Sequence, residues 1–204
     1  MIRLMEIGDL DIVGEIVNGD WKNIYSSYIN PDLLSLEGCK KRKKEIEAEL
    51  LSGSLANYIY EDDGIVKALL TFGQTADSDK SGAFEIWRIY VSQDFQGVGI
   101  GKSLLTFAEK QAMLSGFQEI IIWAFKENFK AVSFYKHNGY VEDKVMNLGD
   151  PYCAEGVRFC PEGVFLRSFS CSKAESRRST SASVRTLPVF QFSRILSVYS
   201  KLGW

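Results

Sequence analysis

Phe95-Gln96-Gly97-Val98-Gly99-Ile100-Gly101-Lys102-Ser103-Leu104-Leu105 is the stretch that decides the fold. Three glycines alternate where an apolar strand pattern, Ala83 to Ser92, has just ended. A helical pattern starts at once, with Ile100, Leu104, Ala108 and Ala112 on one stripe. Glycine lets backbone approach a ligand closely and accepts positive φ without a side-chain clash. The first N–H groups of a helix have no intrahelical partner, and the helix dipole is positive there. The stretch therefore suits a phosphate or pyrophosphate. A P-loop requires G-x-x-x-x-G-K-[ST], and Gln96 stands where its first glycine belongs. A dinucleotide loop requires G-x-G-x-x-G, and Lys102 replaces the third glycine. The pattern Gln-x-x-Gly-x-Gly is met in full by Gln96, Gly99 and Gly101.

Two flanking segments extend the pattern. Glu85-Ile86-Trp87-Arg88-Ile89-Tyr90-Val91 precedes it, and Asn128-Phe129-Lys130-Ala131 with Phe134-Tyr135 and Gly139-Tyr140 follows. In order and spacing the three segments resemble the GNAT (general N-acetyltransferase) superfamily. The resemblance covers roughly residues 1–160, with its specific motifs between Glu85 and Tyr140. It implies an α/β (α+β) fold: a mixed, splayed central sheet of about six to seven strands flanked by helices. It implies acetyl-CoA as co-substrate, its pyrophosphate held by Gln96, Gly97, Val98, Gly99, Ile100, Gly101 and Lys102. Ile89, Tyr90 and Val91 would lie along the pantetheine arm, and Asn128 would reach the same arm. Asn128 also reads as a plain helix N-cap.

Transfer of an acetyl group to an amine needs a neutral nucleophile and a protonated leaving thiolate. An alkyl amine with a pKa of ~10.4 is only about 0.1% neutral near pH 7.4, so a base is needed. Glu85 is the candidate, eleven positions before Gln96 as in family members that use a glutamate. Strand alternation puts it on a face with Trp87, Ile89 and Val91, where burial raises a carboxyl pKa. Tyr135 is the candidate acid, because a phenol stays protonated at neutral pH. Periodicity alone would also make it a core tyrosine. The implied activity is direct transfer to a primary amine of a small molecule or peptide N-terminus in a ternary complex. A non-catalytic CoA-binding regulatory module is the alternative, and a nucleotide hydrolase is disfavoured by Gln96. A homodimer is left open.

The whole chain has 204 residues and a formal net charge of −2, which gives no argument for nucleic acid. No basic start followed by an apolar core reads as a signal peptide, and the longest apolar run, Ile120 to Phe125, is too short to span a bilayer. A cytoplasmic location is the expectation. Cys39, Cys153, Cys160 and Cys171 form no C-x-x-C, and His137 is the single histidine, so no metal site is expected.

Asp9 is placed to cap a helix carrying Leu10, Val13, Ile16 and Val17. The aromatics Trp21, Tyr25 and Tyr28 continue that helix to Asn30-Pro31. These rings read as core packing or as walls of an acceptor pocket. Lys40-Lys41-Arg42-Lys43-Lys44 reads as a solvated helix face. Asp62-Asp63-Gly64 signals a hairpin between Asn57–Glu61 and Ile65–Phe72. The domain is expected to span residues 1–160, followed by a serine-rich extension over 161–204. That extension holds seven Lys/Arg against two Asp/Glu, leaving 17 against 24 in the rest. Its composition predicts poor order, with Phe192, Ile195, Leu196, Tyr199 and Leu202 able to line one weak amphipathic helix.

Overall fold

Residues 1–163 are described by the structure, a computed structural model. In chain order the elements are β1 (Ile2–Leu4), α1 (Leu10–Ile24), α2 (Leu36–Ser52), β2 (Ala56–Asp62) and β3 (Ile65–Gln74). There follow β4 (Phe84–Val91), α3 (Ile100–Leu114), β5 (Ile120–Phe125), α4 (Phe129–His137), β6 (Tyr140–Asn147) and β7 (Glu155–Pro161). The Asp-Gly signal forms the expected hairpin: Asp63 and Gly64 both take positive φ, 52° and 73°, the hand that matches twisted strands.

The sheet order is β1-β2-β3-β4-β5-β7-β6. All pairs are antiparallel except β4 with β5, which are parallel and joined over α3. Helices cover both faces. Val13, Val17 and Ile46 from α1 and α2 pack on Ile59 and Leu69. Leu104, Ala108 and Ala112 from α3 and Tyr135 from α4 pack on Leu70, Ile86, Ile122 and Phe159 of the other face.

Two irregularities open this sheet where a ligand would enter. Thr71 pairs with Arg88 and Phe72 with Ile86, which leaves Trp87 as an extra residue in β4. In addition, β4 and β5 pair only from Phe84–Ile120 to Ile86–Ile122. Beyond that point the two strands part.

Several sequence readings are corrected here. First, the extra residue reverses the parity of β4. Glu85 therefore shares a face with Arg88, which reaches Glu49 of α2, and with Tyr90, which reaches Trp21 of α1. Ile89 and Val91 lie on the α3–α4 face instead. Second, α1 ends at Ile24 rather than continuing through Tyr28. Tyr25 and Tyr28 turn to pack on Phe125, with ring centroids 4.9 and 6.2 Å away. That aromatic contact outweighs the helical pattern. Asp9 does not cap α1 through its side chain; its carboxylate accepts from Arg3 and from the Glu6 N–H. Third, Arg42 leaves the basic run's solvated face. It is buried, 3.7 Å over the Trp21 ring, and donates to Asn18 Oδ1 and the Leu33 carbonyl.

Strand β7 runs one residue past the expected boundary at 160. The rest of the 161–204 extension, with its expected helix, lies outside the described residues beyond Gly163. No helix among the described residues is long and apolar enough to cross a membrane.

Candidate active site

The loop after β4 is shaped by its own side chain. Gln96 Nε2 donates to the Val91 carbonyl at 2.9 Å, tying the loop back to the strand it leaves. Gly97 and Gly99 have φ of 78° and 90°, a region that costs any residue with a Cβ. Gly99 is the N-cap of α3. The first amide of this turn with a partner is that of Ser103, bonded to the Gly99 carbonyl. The six backbone N–H groups from Gly97 to Lys102 meet no acceptor among the described residues. Such a row at the positive end of a helix is suited to an anion. Val98 carries its side chain into solvent and Ile100 carries its own into the core, so each can contribute only its amide.

A cleft of about 480 Å³ runs from this loop along the part of β4 that has left β5, between α4 and the end of α1. Ile89, Tyr90, Val91, Gln96, Gly97, Gly99, Gly101, Lys102, Asn128 and Tyr135 are among the residues that line it; Val98 and Ile100 are not. Asn128 does cap α4, its Oδ1 accepting from the Ala131 N–H at 3.1 Å. Tyr135 is both a core residue and a wall of the cleft: its ring lies 5.5 Å from Phe159 and it is 7% exposed. Burial raises its phenol above the usual range, and the neighbouring Tyr90 phenol adds to this. It is therefore a firmly protonated group.

Glu85 is not among the lining residues: it lies on β4 four positions before Ile89, the first lining residue of that strand, and one residue before the strands part. Its carboxylate is buried and accepts from Thr75 Oγ1 at 2.7 Å. Loss of solvent pushes its pKa up to about 7. The Thr75 hydroxyl pulls it down, Asp77 pushes it up, and the Ala76 N–H and Arg158 pull it down by less. A carboxyl balanced near neutrality can both take and release a proton.

Several lining residues had no place in the sequence reading of the site, among them Asp20, Ile24, Lys130 and Phe134. Tyr25 had been left between core and pocket, and it serves both. Asp20 had a readable signal: it falls on the stripe of Val13, Val17 and Ile24. It is 4% exposed, and its carboxylate accepts no hydrogen bond among the described residues. Burial pushes its carboxyl up to about 6, opposed by the Lys130 ammonium.

A family model described as the acetyltransferase (GNAT) family matches residues 21–140, more than half of the chain. The chain belongs to the acetyltransferase (GNAT) family. The matched residues of this GNAT chain include the glycine loop, the parting strands and the Asn128–Tyr135 segment. An uncharacterized N-acetyltransferase, ycf52, of Gracilaria tenuistipitata var. liui is 27% identical over 124 residues, 58% of this chain and 66% of that protein. A spermidine N(1)-acetyltransferase of Thermoplasma acidophilum is 28% identical over 152 residues, 70% of this chain and 89% of that one. The solved PaiA N-acetyltransferase of Thermoplasma acidophilum, in complex with coenzyme A, superposes with a TM-score of 0.61 at 21% identity. That match covers 80% of this chain and 98% of the other. The expected mixed, splayed sheet is thus the architecture of a GNAT protein, here with seven strands.

Proposed function

We propose that this GNAT chain transfers an acetyl group from acetyl-CoA directly to a primary amine, both substrates being bound together. The observation that carries the reading is the row of six amides, unpaired among the described residues, beside a cleft that runs along the end of β4. The amides suit the diphosphate of coenzyme A. The apolar walls at Ile89, Val91, Ala131 and Phe134 suit a neutral arm. Acetyl-CoA would supply the activated acyl group; the remaining tasks fall to side chains.

In this reading Glu85 accepts the proton of the incoming ammonium from the α1–α2 face. Its carboxylate is not part of the cleft lining, so in this reading water carries the proton between the two. Tyr135 donates to the departing sulfur from the opposite wall, and its raised pKa keeps the proton available. Asn128, Ile89 and Val91 orient the arm. The body's excess of acidic residues, 24 against 17 basic, favours a cationic acceptor. One relative is named for spermidine, so a polyamine is the first acceptor to try. Aminoglycoside-like amines, amino-acid derivatives and peptide N-termini follow.

The test is thiol release from acetyl-CoA by the purified chain over such an amine panel, with calorimetry on coenzyme A. Binding without release on any amine would favour the non-catalytic module; absence of binding would end the reading. Given a productive acceptor, Glu85→Gln should lower turnover about tenfold or more with acetyl-CoA affinity little changed. Tyr135→Phe should slow turnover more than it weakens binding. The opposite ranking would make Tyr135 a packing residue.

A further inference from the structure

Glu85 is held by a chain of hydrogen bonds that begins on the far side of the sheet's gap. Arg158 of β7 is 2% exposed and donates from Nη1 to Asp77 Oδ2 at 2.7 Å. Trp123 of β5 donates to the same oxygen from Nε1 at 2.9 Å. The backbone N–H of Asp77 donates to Thr75 Oγ1 at 3.0 Å. Thr75 Oγ1 in turn lies 2.7 Å from Glu85 Oε2.

This order sets a direction. A hydroxyl has one proton to give. One lone pair of Thr75 Oγ1 is taken by the Asp77 N–H, so its proton points at the carboxylate. The segment that presents it is pinned: Arg158 also binds Asp79 at 2.9 and 3.0 Å, and Asp143 at 2.8 Å.

We propose that Thr75 is the positioning residue of the base, its hydroxyl fixing Glu85 Oε2 and leaving Oε1 as the atom that takes the proton. The inference rests on Glu85 being that base. It assigns to the segment after β3 a task in proton transfer that the glycine loop and the cleft do not reveal. The proton moves from the acceptor's ammonium, relayed by water, to Oε1, giving a neutral amine and a neutral carboxyl. The Thr75 hydroxyl favours the ionised carboxylate before that step. The charged groups facing Glu85 are Asp77, from the same segment, and Arg158, from β7. Both are already engaged with each other, which leaves two neutral donors, the Thr75 hydroxyl and, with a smaller effect, the Ala76 N–H, to set the balance. Arg88 on the same face is occupied by Glu49 at 2.6 and 2.9 Å.

The experiment is a ¹³C NMR titration of the Glu85 carboxyl in the full chain, its signal assigned by its absence in Glu85→Gln. Thr75→Val keeps the shape of the side chain and removes the hydroxyl. It should raise the carboxyl midpoint by about one unit, and Thr75→Ser should restore it. At pH 7 the ionised fraction would fall from about one half to about one tenth. The pH profile of thiol release should move with the midpoint. A midpoint unmoved in both Thr75→Val and Thr75→Ala, in folded protein, overturns the inference. A midpoint that moves while the rate profile stays put overturns Glu85 as base and leaves Thr75's hold on the carboxyl standing.

Discussion

At the residue scale, burying Glu85 costs stability wherever its carboxyl ionises. Its pKa of about 7 in the fold lies above the ordinary 4.5, so the folded chain holds this proton more tightly than the unfolded one. Stability from this group is therefore intact below about pH 4.5, falls as pH rises to about 7 and stays lower above. Glu85→Gln should leave urea unfolding unchanged at pH 4 and stabilise the fold at pH 8 by about 1–3 kcal/mol. An equal gain at both pH values would place the cost in packing. Asp20→Asn should gain in the same direction, its window closing at about pH 6. Glu85 could be picked out from its distance to Gln96. Its face could not, because the parity of β4 turns on Trp87, and nothing in that residue's type marks it as the extra one. Asp20 lay in plain view on an apolar stripe, where a carboxylate stands against the pattern.

At the element scale, the glycine loop shows how far local chemistry reaches. Gly97 and Gly99 sit at φ values that only their residue type adopts cheaply; the motif names Gly99 and leaves Gly97 as one of its free positions. Gly99→Ala should cost about 1–2 kcal/mol from backbone strain. It should also weaken coenzyme A binding by rotating the amides of the first turn of α3. Gly101 has no such φ, and a Cβ there would meet the Phe134 ring at an ordinary 3.5 Å. Gly101→Ala should therefore leave urea unfolding near that of the parent chain. Equal losses at the two sites would refute the conformational account. The Asp63-Gly64 hairpin was legible for the same reason, since two residues fix the turn. The end of α1 was not. Tyr25 and Tyr28 leave the helix for Phe125, a partner about a hundred positions away that no local pattern announces. Arg42 likewise looked like one of five cations, and only the Trp21 ring beneath it sets it apart.

At the scale of the whole molecule, the seven strands and both hydrophobic clusters are built from residues between Ile2 and Phe159, with β7 closing at Pro161. The cleft draws its lining from Asp20 to Asn138. The last tie of the described chain to this body is the Glu162 N–H on the Gly139 carbonyl at 2.7 Å. It anchors the exit of β7 to the turn between α4 and β6. A chain ending at Gly163 thus keeps every strand pair of the described residues, the row of amides and the Glu85–Thr75 bond. We predict that it folds with the urea midpoint of the full chain and binds coenzyme A within about twofold of it, a free-energy change below about 0.5 kcal/mol. Calorimetry and urea unfolding on the two lengths check this directly. Loss of binding with an unchanged midpoint would make residues 164–204 part of the ligand site. Loss of the fold itself would move the domain boundary past 163.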